Sequence, residues 1–313
     1  MVINLKKPSP YLLLIIATIL WGGNFVIGRA VADQVPPFTL SFLRWCTAVI
    51  IFYPFVRKRL KAEWPAIKKH WKIVLVMAFT GISGFNTLVY VALHDTTSIN
   101  ASLVNSTTPI LIFLFSFLIF RERLHRNQLF GAVISLFGVL FILTKGSLAN
   151  LIGLTFNHGD LLVVIAVVCW GIYSVLVKHY AGRLPGYSTF FCSMIVGLII
   201  LLPFSLIEMS DRSAVIKWNA ESIASIGYIG VFASIVAFIS WNSAVAEIGA
   251  NKAGIFLNFI PVFASIFAIA FIGENLAWYQ LAGGLFVVAG VYLSTKLPVN
   301  QHKQSLADKK IQA

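Results

Sequence analysis

Residues 122–131 read ERLHRNQLFG, and residues 274–283 read ENLAWYQLAG. The two stretches share a glutamate, two leucines, a glutamine and a glycine at the same spacing, with an offset of 152 residues between them. The same offset places Pro109 on Pro261 and Gly138 on Gly290. A match that extends to both sides of the motif predicts an internal repeat.

An offset of 149 residues extends the repeat to the earlier part of each half. It places Trp21 on Trp170, and the pair Pro54 and Phe55 on Pro203 and Phe204. The chain is therefore predicted to consist of two homologous units, residues 1–150 and 151–299. The polar residues 300–313 offer little apolar surface to offset the entropy of ordering, so we expect a disordered cytoplasmic tail.

The composition is that of a membrane protein. Hydrophobic residues make up 58% of the chain and charged residues 11%, with a mean hydropathy of +0.86, whereas soluble domains carry roughly 25% charged residues. A helix needs roughly 20 apolar residues to cross a bilayer. Ten such runs are present, at about residues 11–32, 37–56, 73–93, 98–120, 129–144, 161–177, 189–207, 223–245, 253–272 and 279–294.

The number of helices in each unit determines how the two units are oriented. Five is odd, so the second unit must enter the membrane from the side opposite to the first. The charges agree, because Arg123 and Arg126 of the first motif correspond to the uncharged Asn275 and Trp278 of the second. We therefore predict an all-α membrane protein of ten transmembrane helices, arranged as two inverted five-helix repeats.

The position of the positive charges predicts the topology. The formal net charge is +13, and of the 24 Lys and Arg residues only Arg29, Lys145, Arg212 and Lys217 fall in loops opposite the N-terminal side. Arg44 lies inside helix 2, and all the others are on the N-terminal side. Positive residues favour cytoplasmic loops, so we expect a multi-pass protein of the cell membrane with both termini cytoplasmic. This distribution favours a lipid bilayer, and not nucleic acid, as the partner of the basic residues.

The chain resembles the EamA-type transporters of the drug/metabolite transporter superfamily. The resemblance rests on the Trp21-Gly22 motif with Asn24, on Arg44, and on the run of Pro, Glu-x-Leu and Gln-Leu-x-Gly that occurs twice. It covers helices 1 to 10, and it implies a central cavity lined by helices 1, 3, 4, 6, 8 and 9. The second unit departs from the first at Ser193, which stands at the position equivalent to Arg44.

Polar residues within spans are functional candidates, because they are costly in hydrocarbon. Five asparagines lie within the spans that the resemblance assigns to the cavity: Asn24, Asn86, Asn105, Asn242 and Asn258. They are expected to contact substrate. The alternative is interhelical hydrogen bonding, worth about 0.6 kcal/mol on average.

Five aromatic residues are further candidates for substrate contact, because each could offer a flat apolar face and one polar group. They are Trp21, Tyr90, Trp170, Tyr173 and Trp241. The alternative is that these rings pack in the core or at the membrane interface. The resemblance favours Trp170 and Tyr173 as members of the central site.

Arg44 lies about seven residues inside helix 2, and two roles are open for it. Its long side chain could extend to the outer membrane interface. Otherwise it could face the cavity and attract a carboxylate or phosphate group.

The repeated motif itself predicts structural roles. Glu122 and Glu274 just precede helices 5 and 10, where the positive end of the helix dipole favours a carboxylate, with gating as the alternative. Gly131 and Gly283 are each followed by a second glycine seven residues later on the same helix face, so we expect packing seams there.

Several function classes are disfavoured. The sequence has no Walker A motif for ATP, no acidic residue deep in a span, and histidines only in loops or the tail, without the spacing of metal ligands. We expect no cofactor, no metal and no enzyme activity, and neither a charged ring nor a carbonyl filter of a channel is visible. The leading hypothesis is a secondary transporter that exports small organic solutes such as amino acids. Uptake or exchange of nucleosides, sugars or phosphorylated metabolites is the alternative, and the oligomeric state stays open.

Overall fold

The computed structural model describes residues 8–31, 33–96, 101, 104–122, 125–153, 157–210, 216–272 and 277–295. Every regular element within these ranges is a helix. Eight of the described helical stretches are long and apolar enough to cross a membrane. The predicted tail at residues 300–313 and Glu274 lie outside the described residues.

The helices of the first unit are α1 (Pro10–Ala30), α2 (Pro37–Lys69), α3 (residues 71–95), α4 (Thr108–Phe120) and α5 (Arg126–Leu143). Those of the second are α6 (His158–Tyr180), α7 (Gly186–Ser210), α8 (Ala220–Ile248), α9 (residues 250–272) and α10 (Trp278–Thr295). A short helix, Leu148–Ile152, follows α5.

Two of the ten predicted spans are not among the eight described stretches that are long and apolar enough to cross a membrane. The span at 98–120 is represented by the 13 residues of α4, which begin after residues 97–100 and 102–103, and these lie outside the described part of the chain. The span at 279–294 corresponds to α10, with 18 residues. In contrast, α2 continues to Lys69, well beyond the predicted end at Val56. The prediction stopped where the apolar run stops, but the Lys, Arg, Glu and Ala residues that follow have high helix propensity.

Helices α5 and α10 form the most extensive helix pair, and they run antiparallel. Gly131 faces Gly290 and Gly138 faces Gly283, so each glycine contacts the backbone of the partner helix. The repeated glutamines start these helices in the same way. His125 N donates to Gln128 Oε1 at 3.1 Å, and Ala277 N donates to Gln280 Oε1 at 2.8 Å. Each glutamine therefore satisfies a backbone N–H at the start of its helix.

The first helix of each unit packs against the third and fourth helices of the other unit. Helix α1 packs against α8 and α9, whereas α6 packs against α3 and α4. Helix α2 pairs with α7. This places α1, α3, α4, α6, α8 and α9 around the centre of the molecule.

Two glutamates connect α2 and α7 at opposite ends. Glu208 accepts hydrogen bonds from Phe38 N at 3.1 Å and from Thr39 N and Oγ1, both at 2.7 Å. At the other end, Ser188 Oγ donates to Glu63. Thr39 and Ser188 occupy equivalent positions at the starts of their helices, so each unit supplies a carboxylate to the helix start of the other.

Helices α3 and α8 each contain a π-helical segment in their middle, at Ala78–Gly84 and Ile229–Val236. Such a segment leaves backbone carbonyls without their usual α-helical partners. The Ser234 hydroxyl donates to the Ile229 carbonyl at 2.8 Å, and the Ser83 hydroxyl donates to that of Ala78 at 3.3 Å. The π-helical segments thus widen α3 and α8 next to the centre of the molecule.

Candidate functional site

A narrow cavity of about 40 Å³ lies at the centre of the molecule. Residues of α1, α3, α6, α8 and α9 line it, together with Asn105 just before α4: Trp21, Asn24, Phe25, Gly28, Phe85, Asn86, Val89, Tyr90, Asn105, Trp170, Phe238, Leu257 and Ile260. Most come from the second halves of α1 and α3. The cavity therefore extends from the middle of the bundle toward the side on which α1 ends.

An aromatic cluster closes the inner end of this cavity. It consists of Trp21, Trp170, Tyr173, Phe238 and Trp241, one residue from α1 and two each from α6 and α8. The Trp21 and Trp170 rings meet edge to face, with their centroids 5.2 Å apart, and Phe238 lies 5.4 Å from Trp170. Trp21 Nε1 donates to the Ala233 carbonyl at 3.0 Å, which fixes its ring against α8.

A second cavity, of about 210 Å³, lies on the other side of the aromatic cluster. Its lining comes from the ends of α6 and α8, the start of α7, and Met77 of α3. Asn242 belongs to its lining and bonds to Tyr173 of the aromatic cluster. The Tyr173 hydroxyl donates to Asn242 Oδ1 at 3.0 Å in one orientation of its proton, and Asn242 Nδ2 lies 2.8 Å from the same hydroxyl. The Tyr173 ring itself packs against Gly81, where a Cβ atom would overlap with it.

Arg44 is fully buried, so its side chain does not extend to the membrane interface. Its Nε donates to Ser234 Oγ at 2.9 Å, and its Nη1 donates to Asn86 Oδ1 at 2.9 Å and to the Tyr90 hydroxyl at 3.0 Å. The π-helical segment of α8 places Ser234 within reach of Arg44. Asn86 and Tyr90 both line the central cavity, so Arg44 lies directly behind its wall.

The amides of the cavity keep unused hydrogen-bonding capacity. Within the described part of the chain, Asn24 Oδ1, Asn86 Nδ2 and Trp170 Nε1 are buried without a hydrogen-bond partner. Buried polar atoms are normally paired, and an unpaired one costs roughly 1–3 kcal/mol. In a cavity wall, such atoms are available to a ligand that supplies the missing partner.

The structure brings six of the sequence candidates together at the central cavity: Trp21, Asn24, Asn86, Tyr90, Asn105 and Trp170. The other sequence candidates lie elsewhere. Tyr173 and Trp241 belong to the aromatic cluster, and Asn242 lines the second cavity. Asn258 points away from the cavity and donates to Ser135 Oγ of α5.

The motif residues lie at helix ends and interfaces, away from the cavity. Pro109 lies in the first turn of α4, and Pro261 follows the 3₁₀ segment Phe256–Asn258 of α9. Glu122 lies four residues before α5 begins and accepts a hydrogen bond from Asn251 Nδ2 at 3.4 Å. Its contact is thus with the start of α9. The start of α5 is capped by Gln128.

Phe238 and Ser234 are among the residues of the central region that sequence reasoning missed. Phe238 contacts Trp21, Trp45, Trp170 and Phe190, but one phenylalanine among 26 carries no signal of its own. Ser234 was missed because a serine in an apolar helix normally bonds to its own backbone. Arg44 of α2, six helices earlier in the chain, was the available signal that a polar partner was needed.

Comparison with known proteins gives a consistent result. The model of the EamA-like transporter family matches residues 8–144 and 157–296. An uncharacterized transporter of Bacillus subtilis (strain 168), YyaM, is 26% identical over 293 residues, which cover 92% of this chain and 93% of the relative. An uncharacterized transporter of Archaeoglobus fulgidus is 27% identical over 290 residues, with 91% and 96% covered. A solved crystal structure shares the fold, with a TM-score of 0.76 at 22% identity, over 92% of this chain and 97% of that chain.

Proposed function

Because the chain belongs to the EamA-like transporter family, we propose that it moves small organic solutes across the cell membrane as a secondary transporter. The transport would proceed by alternating access between two inverted five-helix repeats. Membership of the family makes the chain a multi-pass membrane transporter. The inverted arrangement, the solute and the direction are the parts proposed here.

The helix pairs support the inverted arrangement. Helices α5 and α10 run antiparallel with reciprocal glycine contacts, and α2 and α7 exchange carboxylate contacts at opposite ends. Helix α1 packs against α8 and α9 as α6 packs against α3 and α4. A two-fold axis in the membrane plane would generate pairs of this kind.

The observation that carries the transport mechanism is the pair of cavities separated by the aromatic cluster. One cavity extends toward the side on which α1 ends, and the other toward the side on which α6 ends. Neither passes through the cluster, so a solute crosses only if the helices move. Rocking of one unit against the other would open the cluster to one side at a time, as in other transporters with a central site.

The lining of the central cavity supports a small solute that is partly apolar. Trp21, Phe25, Phe85 and Leu257 supply apolar surface, and Asn24 supplies an unpaired oxygen. Amino acids and related metabolites combine these properties. We propose that they are moved outward. Uptake or exchange of nucleosides, sugars or phosphorylated metabolites is the competing assignment that the experiment must separate.

The test is counterflow into proteoliposomes that contain only the purified protein. Liposomes are loaded with unlabelled leucine, phenylalanine, glutamate, lysine, uridine, glucose or glucose 6-phosphate, and the labelled solute is added outside without ATP. We expect accumulation of amino acids, and none in liposomes without protein. Counterflow of only uridine, glucose or glucose 6-phosphate would replace the amino-acid assignment. No counterflow of any of these solutes by folded protein would overturn the proposal.

Direction needs intact cells. If the protein exports amino acids, cells that overproduce it should tolerate higher concentrations of toxic amino-acid analogues than cells that carry an empty vector. An importer would make the cells more sensitive. The comparison therefore gives opposite results for the two directions.

A further inference from the structure

The charge of Arg44 has no negative partner within the described part of the chain. Its hydrogen bonds go to a serine hydroxyl, an amide oxygen and a tyrosine hydroxyl, and its Nη2 has no partner among the described residues. The ring of Trp45, 5.0 Å from the guanidinium carbon, is its remaining electrostatic contact. A buried charge without a counter-ion is costly, so its retention requires an explanation.

The two residues that hold Arg44 line the cavity, and each keeps a hydrogen-bond donor that Arg44 does not use. Asn86 uses its oxygen for Arg44, which leaves the amide Nδ2 unpaired. Tyr90 accepts a hydrogen bond from Arg44, so its own hydroxyl proton is not used in that contact. A guanidinium behind two donors makes this part of the wall, here called the Arg44 corner (Arg44, Asn86 and Tyr90), attractive to an anion.

The rest of the lining strengthens this attraction. Phe25, Phe85, Val89, Leu257 and Ile260 surround the cavity with apolar surface. A charge interacts more strongly with an opposite charge in such surroundings than in water.

The single charge of Arg44 also limits how much negative charge on a solute the cavity can neutralise. Arg44 is the only cation among the described side chains that is hydrogen-bonded to the cavity lining. The equivalent position of the second unit is the buried Ser193, which adds no charge. One positive charge balances a carboxylate, but it leaves a phosphate monoester with excess negative charge.

From these observations we propose that the Arg44 corner selects solutes that carry a carboxylate group. The carboxylate contacts Asn86 Nδ2 and the Tyr90 hydroxyl, and Arg44 neutralises its charge from behind. This inference rests on the proposed transport function and specifies the chemical group that the central cavity recognises.

Binding to the purified protein tests the inference separately from transport. The probes are L-phenylalanine, L-leucine and 3-phenylpropionate, the primary amide of each, and phenyl phosphate, and binding is measured as an increase in melting temperature. We expect carboxylates to stabilise the protein, and the amides and phenyl phosphate to do so at least about tenfold less potently, because charge-assisted hydrogen bonds are the strong ones. Equal or stronger effects of the amides or the phosphate would overturn the inference.

Variants assign the selectivity to the Arg44 corner. Arg44→Gln should abolish the preference for carboxylates over amides, and Arg44→Lys should partly restore it, because the charge is kept without the same geometry. Lys217→Gln removes a positive charge from an exposed loop position and should leave the preference unchanged. An unchanged preference in Arg44→Gln would contradict the proposal.

A second variant keeps the test decisive if Arg44→Gln does not fold. Asn86→Asp places a carboxylate of the protein itself against Arg44, so we expect a higher melting temperature without ligand and loss of carboxylate binding. Retention of carboxylate binding by Asn86→Asp would refute the inference. Failure of the wild type to show counterflow would instead refute the proposed transport function, whatever the binding result.

Discussion

Gly131 and Gly290 meet across the α5–α10 interface with no room for a side chain on either of them. A Cβ atom built on Gly290 would lie 2.5 Å from the carbonyl oxygen of Gly131, and a Cβ on Gly131 would overlap with the carbonyl oxygen of Gly290. Seven residues away, Gly138 and Gly283 repeat this relationship. The interface therefore depends on close backbone approach, which is how small residues promote helix association in membranes.

We predict that Gly290→Ala destabilises the protein. The new methyl group would meet backbone atoms of α5, which cannot rotate away, so the helices must separate at a cost of about 1–3 kcal/mol. Thermal unfolding in detergent measures the effect. Gly284→Ala is the matched control, because its methyl group has an ordinary 3.8 Å contact with Val262. Equal melting temperatures for the two variants would contradict the prediction.

The repeat and most of the helices could be predicted from the sequence, because the repeated motif and the apolar runs each extend over many residues. The resemblance to EamA-type transporters is confirmed by the family match over both units. The seven-residue glycine spacing placed Gly131 and Gly138 on one helix face, but it could not reveal which glycine of α10 lies opposite each of them. The ends of the helices were harder to predict from the sequence. For example, α2 continues beyond its apolar run to Lys69.

The contact between Glu208 and the start of α2 predicts a second effect on stability. Glu208 accepts two backbone N–H groups and the Thr39 hydroxyl, groups that have no partner within α2. Glu208→Gln removes the charge that strengthens these bonds, and we expect a loss of about 1–2 kcal/mol in thermal unfolding. The control is Glu221→Gln, whose carboxylate is exposed and bonds to Gln34. A larger loss for the control would refute the assigned role.

The proposed inversion predicts that the starts of α5 and α10 face opposite sides of the membrane. In a variant with Cys46, Cys169 and Cys192 replaced by serine, single cysteines at Arg126 and Ala277 should react from opposite sides with a membrane-impermeant maleimide. Arg126→Cys should be labelled only in inverted vesicles, and Ala277→Cys only in intact cells. Reaction of both from one side would exclude the inverted repeat, and reversed labelling would place the termini outside.

The candidate site was less predictable than the fold. The sequence selects polar residues within spans, but it does not say which way they face. Asn24 and Asn105 line the cavity, whereas the similar Asn258 bonds to Ser135 of α5. Two roles were open for Arg44 because a long side chain about seven residues inside a helix can reach either the membrane interface or the cavity. The tertiary contacts with Asn86 and Tyr90 show that the side chain points into the bundle, and its contact with an anion stays a prediction.

The final prediction concerns Trp170, which lines the central cavity, and Tyr173, the member of the aromatic cluster that bonds to Asn242 in the lining of the second cavity. Trp170→Ala removes a ring that packs against Trp21 and Phe238 at the inner end of the cavity. A solute that rests on this ring would lose about 1 kcal/mol of contact, so we expect at least about fivefold weaker transport at low solute concentration.

Tyr173→Phe keeps the ring against Gly81 but removes the hydroxyl that bonds to Asn242. We expect this variant to bind solute normally and to change the rate of counterflow, because the contact between α6 and α8 must break when the second cavity opens to the site. Trp64→Ala, an exposed ring in the polar extension of α2, serves as the control and should transport like the wild type. Initial rates of counterflow across a range of solute concentrations separate affinity from rate. Both variants could instead be folded in the membrane and transport with wild-type affinity and rate. That result would mean that the rings of Trp170 and Tyr173 only pack the core and that the solute binds elsewhere.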